Sequence, residues 1–494
     1  MELIDPSVVQ SALAGVFQPM LIVSILAGVL IGLVFGAMPG LTATAGVAIT
    51  TPLTFGMGFE AAMALLLGIY CGGYYAGSIP AILLNTPGSP GNAATSLDGY
   101  KMALKGEADR ALGLSILASV VGGVVSVLLL MTIAPFLATL ALKFTSVEYA
   151  VFGLFGLTCV AAISGKSLIK GIIGAVLGMY LGLVGIDQVS GMQRLTFGMP
   201  QLMNGIPLLP ALIALFALAE VLSRVTQQDD ESHLPVQQRY SALSALRELL
   251  RHKWLTIKSS LIGTFIGILP GTGPTIAAWI AYGETSRSEK TDTELGHGSP
   301  RGVIAAESSN NAVTGGALVP LLTLGIPGDT VTAVLIGALL IQGITPGPSF
   351  IGDNPILFTQ ILVLLILAYL CVLVVAMASR RWLPHILSVP LPVLLPIIAV
   401  LCAAGGYSVN NLSFDVILIA VLGLAGFVLL RVGIPMAPIV LGLVLGPIIE
   451  RNLRQAMTVH DMDFTVFVTR PISAVLLIAT AFMIVWAWRR WSKA

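Results

Sequence analysis

Four short segments hold the residues of this chain best placed to do chemistry: MPGLTATAG (38–46), LLNTPGSPGN (83–92), LPGTGPT (269–275) and TLGIPGDTVT (323–332). Each breaks an apolar run with Pro, Gly, Ser, Thr or Asn and little charge. Proline removes a helical hydrogen bond and clashes with the preceding turn, and glycine lets the backbone turn sharply. Irregular backbone at membrane depth persists only where protein buries it or a watery cavity hydrates it. A helix broken this way presents the N–H groups of a half-helix N-terminus, which carry partial positive charge. Such groups bind carboxylates without a buried Lys or Arg, while hydroxyls and amides add neutral donors and freed carbonyls can hold Na⁺. A single segment of this kind reads equally well as a turn ending a helix; four, paired along the chain, favour binding.

Intramembrane charge is sparse. Glu307, in GVIAAESSNNAVTGG, and Asp329 are the acids most expected inside the membrane, where charge is costly and usually functional. Both are candidates for coupling Na⁺ or H⁺. The competing reading of Glu307 is a structural hydrogen bond to Asn310 and Asn311, or a helix start at the interface. That of Asp329 is an N-cap on a helix beginning at Thr330, which is compatible with binding.

The elements that must position these residues are membrane helices. Of 494 residues, 56% are hydrophobic and only 10% charged, against about 25% charged in soluble proteins. Apolar runs long enough to cross a bilayer recur throughout, and the expected fold is an all-α polytopic membrane protein. Roughly a dozen transmembrane helices are expected, with re-entrant or broken pieces. GLVFGAMPGLTAT (32–44) and GTFIGILPGTGPT (263–275) share G-x3-G-x2-P-G-x3-T at an offset of 231, and Pro80 and Pro87-Gly88 match Pro320 and Pro327-Gly328 at an offset of 240. An internal repeat follows. The first repeat starts after a segment without Lys or Arg, the second after a basic linker, so the positive-inside rule gives the two halves inverted topology. The expected division is 1–225 for the first repeat and 226–258 for a cytoplasmic linker with an amphipathic helix (Leu243, Leu246, Leu249 and Leu250 on one face). Residues 259–450 form the second repeat and 451–494 a final helix with a basic tail.

Other functions find little support. Net charge is +1, with no basic cluster interleaved with aromatics, so no nucleic-acid partner is expected. The four cysteines stand alone, which excludes a disulfide framework and a zinc site. The five histidines form no HExxH, and no GxSxG elbow with a triad stands out, so no enzyme is expected. A channel filter at GTG (271–273) would need ring symmetry that the sequence lacks. The pairs Gly32/Gly36, Gly73/Gly77, Gly174/Gly178 and Gly263/Gly267 are expected to serve close helix packing.

PGLTATAGVAITTPLTFG, GGYYAGSIPAILLNTPGSPGNAATSLDGYKMALKGEADRALG, LIGTFIGILPGTGPTIAAWIAYGE and GHGSPRGVIAAESSNNAVTGGALVPLLTLGIPGDTVTAVLIGALLIQGITPGP resemble the large membrane subunit of the tripartite tricarboxylate transporters, the TctA family. The resemblance covers nearly the whole chain and departs at Leu295 and Ala306, where the family often has Phe and Pro. It implies a bacterial inner-membrane secondary transporter, working with a small TctB-like membrane subunit and a periplasmic TctC-like solute-binding protein. It also implies transport of a citrate-like carboxylate, coupled to Na⁺ or alternatively H⁺, with no other cofactor. Physical reading and resemblance together place the substrate-binding residues at Thr42, Thr44, Asn85, Thr86, Gly88, Ser89, Gly271, Thr272, Gly273, Thr275, Gly328 and Thr330. Asn310 and Asn311 would line the cavity, and Asp329 and Glu307 would hold the coupling ion.

Overall fold

The computed structural model describes residues 6–38, 41–163, 167–187, 189–224, 240–271, 273–288, 295–380 and 391–491. It is helical throughout, apart from a two-residue hairpin (β1 Gly185–Ile186, β2 Gln193–Arg194) in one loop. Seven helices are long and apolar enough to cross a membrane, and five shorter apolar helices accompany them among the described residues. Thr272, Pro39-Gly40 and the linker up to Arg239 lie outside the described residues.

The first half runs α1 Pro6–Val16, α2 Pro19–Ala37, α3 Ala43–Thr50, α4 Phe59–Ala76, α5 Ser78–Leu84, α6 Ala93–Leu104, α7 Ala108–Ala141, α8 Ser146–Ile163 and α9 Leu168–Gly182. It closes with α10 Leu208–Leu212 and α11 Ala219–Arg224, joined by a π-helical stretch, Ile213–Leu218. The second half runs α12 Ala242–Arg251, α13 Lys253–Ile268, α14 Gly273–Ser288, α15 Pro300–Leu324, α16 Thr330–Ile341, α17 Phe350–Asp353, α18 Pro355–Ser379, α19 Leu391–Asn410, α20 Ser413–Arg431 and α21 Met436–Val459, followed by α22 Val466–Thr469 and α23 Pro471–Trp491. The order repeats. Helix α2, a break, α3, the α4–α5 unit, a break, α6 and α7 recur as α13, a break, α14, α15, a break, α16 and α18.

Packing repeats with it, and does so reciprocally. Helices α2 and α4 lie parallel: Gly28, Gly32 and Gly36 face the carbonyls of Leu65, Ile69 and Gly73 so closely that any Cβ would collide. Gly263 and Gly267 do the same for α13 against Ser309 and Val313 of α15. Gly174 and Gly178 face α21, where Gly178 meets the Ile439 carbonyl. Small residues thus bring backbones together where no hydrophobic effect separates helix from lipid. Across the halves, α7 packs on α15 while its counterpart α18 packs on α4, and α12 packs on α7 while α1 packs on α18. The amphipathic α12 buries Ala245 and Leu249 and leaves Leu243, Leu246 and Leu250 exposed.

The bundle has two polar ends. At one, Arg380 after α18 meets Asp109 at the start of α7 at 3.0 Å, Arg110 pairs with Glu248 of α12, and Lys258 of α13 pairs with Glu284 of α14 at 2.8 Å. At the other, the Thr54 carbonyl after α3 accepts from Gln342 Nε2 after α16 at 3.0 Å, and Arg194 and Arg454 hold Asp187. Helices α2 and α3 therefore form a hairpin that dips in from the second end, and α13 and α14 one that dips in from the first. Between them runs α15, whose polar middle, Glu307 to Asn311, is wholly buried.

Candidate functional site

Both long breaks end their helices in the same way. Asn85 (φ 56°) after α5 and Gly325 (φ 69°) after α15 are left-handed C-caps. The following N–H groups, of Thr86 and Ile326, donate to the carbonyls of Pro80 and Pro320, each at 3.3 Å. This is a Schellman end, and it explains the Asn, since left-handed backbone favours Gly and tolerates Asn. Asn85 and Thr86 are exposed there and do not line the cavity described below.

After the cap, each chain doubles back over a notch of small residues. A Cβ on Gly88 would lie 2.2 Å from the Gly36 carbonyl oxygen and 2.8 Å from Gly77 Cα; one on Gly328 would lie 2.7 Å from the Gly267 oxygen and 2.5 Å from Ala317 Cα. The next helices then start at Pro90 and Thr330. Near the first-half hairpin turn, Thr42 caps α3, its hydroxyl accepting from the Ala45 N–H at 3.2 Å. In the second half, the Gly271 N–H donates to the Gly328 carbonyl at 2.8 Å, tying the two breaks of that half together.

The four breaks meet around one cavity of about 360 Å³, within the range of small-molecule sites, about 300–1,000 Å³. Thr42, Thr44, Gly88, Ser89, Gly271, Gly273, Thr275 and Thr330 line it, and so do Asp329, Tyr74 and Glu220. Phe216, Leu430, Met436 and Leu441 form an apolar side. Among the described residues the lining contains no Lys, Arg or His. Its electropositive groups are the first turns of α3, α14 and α16 and the 3₁₀ turn Pro90–Asn92 leading into α6, whose N–H groups no carbonyl of the same helix can satisfy. Thr44 Oγ1 and Thr330 Oγ1 are hydrogen-bonded at 2.8 Å, joining the N-termini of α3 and α16 across the two halves.

Asp329 is tightly engaged. It forms a capping box with Thr332: Oδ1 accepts from the Thr332 N–H and hydroxyl, both at 2.7 Å. Oδ2 accepts from the Tyr70 hydroxyl at 2.7 Å and from the Tyr74 hydroxyl. The N-cap reading of Asp329 holds, and two buried phenols of α4 spread its charge. Glu307 lies apart from the cavity wall. Its Oε1 accepts from Asn92 Nδ2 at 3.1 Å and from the Thr95 hydroxyl; its Oε2 accepts from Ser119 Oγ at 3.2 Å and Asn311 Nδ2 at 3.4 Å. Asn310 and Asn311 are buried in the bundle interior, Asn310 donating to the Tyr74 carbonyl at 3.3 Å and Asn311 to Ser119 Oγ at 2.8 Å. They sit behind the cavity, not on its surface. Gly328 is likewise a packing residue, off the lining.

Sequence reasoning missed Tyr70, Tyr74, Asn92, Thr95, Ser119 and Glu220. Asn92 carried a signal: it stands 240 residues before Thr332, and the Ser89–Asn92 pair (Ser89 Oγ donating to Asn92 Oδ1, 2.7 Å) is the repeat counterpart of Asp329–Thr332. The tyrosines carried none, because phenols in an apolar helix read as core. A larger cavity of about 620 Å³ lies by the second polar end, lined by Asp187, Arg194, Glu450 and Arg454. Asp187, Arg194, Glu450 and Arg454 already pair with one another, and of the four breaks only the C-cap Gly325 borders this cavity among the described residues, so the smaller cavity, where the helix N-termini gather, is the functional candidate.

Residues 22–441 match the Tripartite tricarboxylate transporter TctA family. An uncharacterized 52.8 kDa protein in the TAR-I ttuC' 3' region of Agrobacterium vitis is 38% identical over 459 residues, covering 93% of this chain and 91% of that protein. An uncharacterized protein in the TAR-II ttuC' 3' region of Agrobacterium vitis is 42% identical over 215 residues, 44% of this chain and 89% of that protein. No solved structure matches the chain. A multi-pass helical membrane protein whose broken helices meet around a cavity without Lys, Arg or His among its described residues, this chain belongs to the Tripartite tricarboxylate transporter TctA family.

Proposed function

We propose that the protein imports citrate-like di- or tricarboxylates across the bacterial inner membrane as the large permease subunit of a secondary transporter. The observation that carries this reading is the convergence of four helix breaks on one cavity that has no basic side chain among its described residues. Helix N-termini and the hydroxyls of Thr42, Thr44, Ser89, Thr275 and Thr330 supply neutral and partially positive donors. These bind carboxylates yet release them more readily than a desolvated Arg would, which suits a carrier that must let go on the far side. A TctC-like periplasmic protein delivers the carboxylate, and a small TctB-like membrane subunit completes the assembly.

The two halves are inverted-topology repeats, 1–225 and 259–450. The end bearing Lys101, Lys105, Arg110, Arg247 and Arg251 faces the cytoplasm by the positive-inside rule. The cavity extends to Glu220 and Leu430, near the cytoplasmic ends of α11 and α20, so the structure corresponds to an inward-facing state of an alternating-access cycle. A cation gradient, of Na⁺ with H⁺ as the alternative, drives uptake through the buried acids Glu307 and Asp329.

Reconstitution with its binding protein and small subunit in proteoliposomes tests the reading, with a panel of carboxylates and with Na⁺ and pH gradients imposed separately. The expected result is saturable uptake that collapses without a cation gradient. Passive currents, or no carboxylate uptake under any gradient, would sink it.

A further inference from the structure

Glu307 is a wholly buried carboxylate whose hydrogen-bond partners among the described residues, such as Asn92, Thr95, Ser119 and Asn311, are all neutral groups. An unpaired buried charge is costly, and inside a membrane it is retained for function. A second observation points to a ligand. The amide oxygens of Asn310 and Asn311, both fully buried, have no hydrogen-bond partner. The Asn311 amide nitrogen rests on Glu307 itself, so its orphan oxygen belongs to the same cluster.

We propose that this cluster is a binding site for a monovalent, Na⁺-class cation, with Glu307, Thr95, Ser119, Asn310 and Asn311 supplying oxygens and Asn92 linking it to the substrate cavity. The proposal rests on the transport reading above and names the site of its coupling ion. One carboxylate cancels one charge, so a monovalent ion leaves the buried site neutral. Oxygen-only ligands suit a hard cation. A proton on Glu307 would present a single new donor and satisfy only one of the two orphan amide oxygens, whereas a cation accepts both.

The link runs through one side chain. Ser89 lines the cavity and donates to Asn92 Oδ1 at 2.7 Å, while Asn92 Nδ2 donates to Glu307. A substrate carboxylate that accepts the hydrogen bond of the Ser89 hydroxyl withdraws it from Asn92 and leaves that buried amide oxygen in need of a positive partner. Substrate and cation then favour one another. The repeat-related Asp329–Thr332 pair offers no such vacancy. There the acid sits in the break itself, and its partners Thr332, Tyr70 and Tyr74 donate to it without leaving an orphan oxygen of their own.

The test is equilibrium binding of radiolabelled Na⁺ to the purified full chain in detergent, with and without citrate, alongside uptake in proteoliposomes. Wild type is expected to bind Na⁺ saturably and more tightly with citrate. Glu307→Gln should lose at least tenfold in Na⁺ affinity, and Thr95→Ala should weaken it while Thr95→Ser restores it. Asn92→Ala should bind Na⁺ with an affinity that citrate no longer changes. Wild-type Na⁺ binding by Glu307→Gln, or no Na⁺ binding by wild type together with pH-driven uptake, would overturn the proposal. Should Glu307→Gln fail to fold, the Thr95 pair decides: equal Na⁺ affinities in Thr95→Ala and Thr95→Ser count against the site. Glu307-dependent Na⁺ binding with no effect of citrate and no uptake would instead refute the carboxylate reading and leave the cation site standing.

Discussion

At the scale of single residues, the cavity separates donors from bystanders. Thr44 and Thr330 meet across it, and Ser89 borders it. Thr44→Ala and Ser89→Ala should each raise KM for the transported carboxylate several-fold, since one hydrogen bond contributes about 0.5–1.5 kcal/mol. Asn85→Gly should leave KM unchanged, because Asn85 is an exposed left-handed cap and Gly fits that conformation at least as well. Uptake kinetics check both, and equal KM effects at Asn85 and Ser89 would contradict the placement. The sequence pointed to the segments that meet at the cavity but not to the atoms that face it. LLNTPGSPGN announces a break in polar residues, yet whether Asn85 or Ser89 faces the cavity depends on where the chain doubles back, and that is decided by Gly36 and Gly77 on other helices.

The polar loop after α9 adds a pH-dependent anchor. Hydrogen bonding from Ser190, then from Arg454 and Arg194, holds the Asp187 carboxyl well below the usual carboxylate range. A depressed pKa in the folded state stabilises wherever the unfolded group, with a pKa of about 3.9, would be ionised. The anchor should therefore be intact at pH 5 and be lost only as pH falls below about 4 towards the folded value. Proteolysis or hydrogen exchange across 183–207 should show that threshold, and Asp187→Asn should loosen the loop already at pH 7.

At the scale of elements, each half-helix is held by a glycine notch instead of by its own sequence. Gly88→Ala and Gly328→Ala must push backbone aside, because their Cβ atoms would lie 2.2 and 2.5 Å from the nearest backbone atoms opposite. Overpacking of this kind costs about 1–3 kcal/mol, so both variants should unfold at lower temperature in detergent. Gly283→Ala on α14, with nothing within 4 Å, should not. The repeat was legible from Gly and Pro because these residues fix backbone geometry wherever they stand. Helix α15 was harder to read: its Glu-Ser-Ser-Asn-Asn centre looks like a helix start at an interface, and only the surrounding α4, α7 and α13 make it an interior helix.

At the scale of the whole molecule, the hairpins α2–α3 and α13–α14 dip in from opposite ends, and single cysteines at their outer turns should report opposite sides of the membrane. In a background whose native cysteines are replaced, labelling of Phe55→Cys, exposed just after α3, from outside only and of Glu284→Cys from inside only is expected. Labelling of both from one side would rule out inversion. The all-α class followed from composition, and of the roughly dozen expected spans seven described helices are long and apolar enough to cross, with five shorter ones beside them; the reciprocal packing of halves was not legible, since no sequence pattern says which long helix a neighbour will choose.

That reciprocal packing also bears on how the protein is made. The phenols that hold Asp329 belong to α4, made early, while the groups around Asn92 await α15, made late. During synthesis the leading half waits in the bilayer with α4 and α7 lacking their neighbours α18 and α15. Each half thus acts as assembly partner for the other, as two subunits of a dimer would. Genes severed within 226–239 should yield an active carrier when co-expressed, and a rapidly degraded leading fragment when it is expressed alone, as immunoblotting of membranes would show.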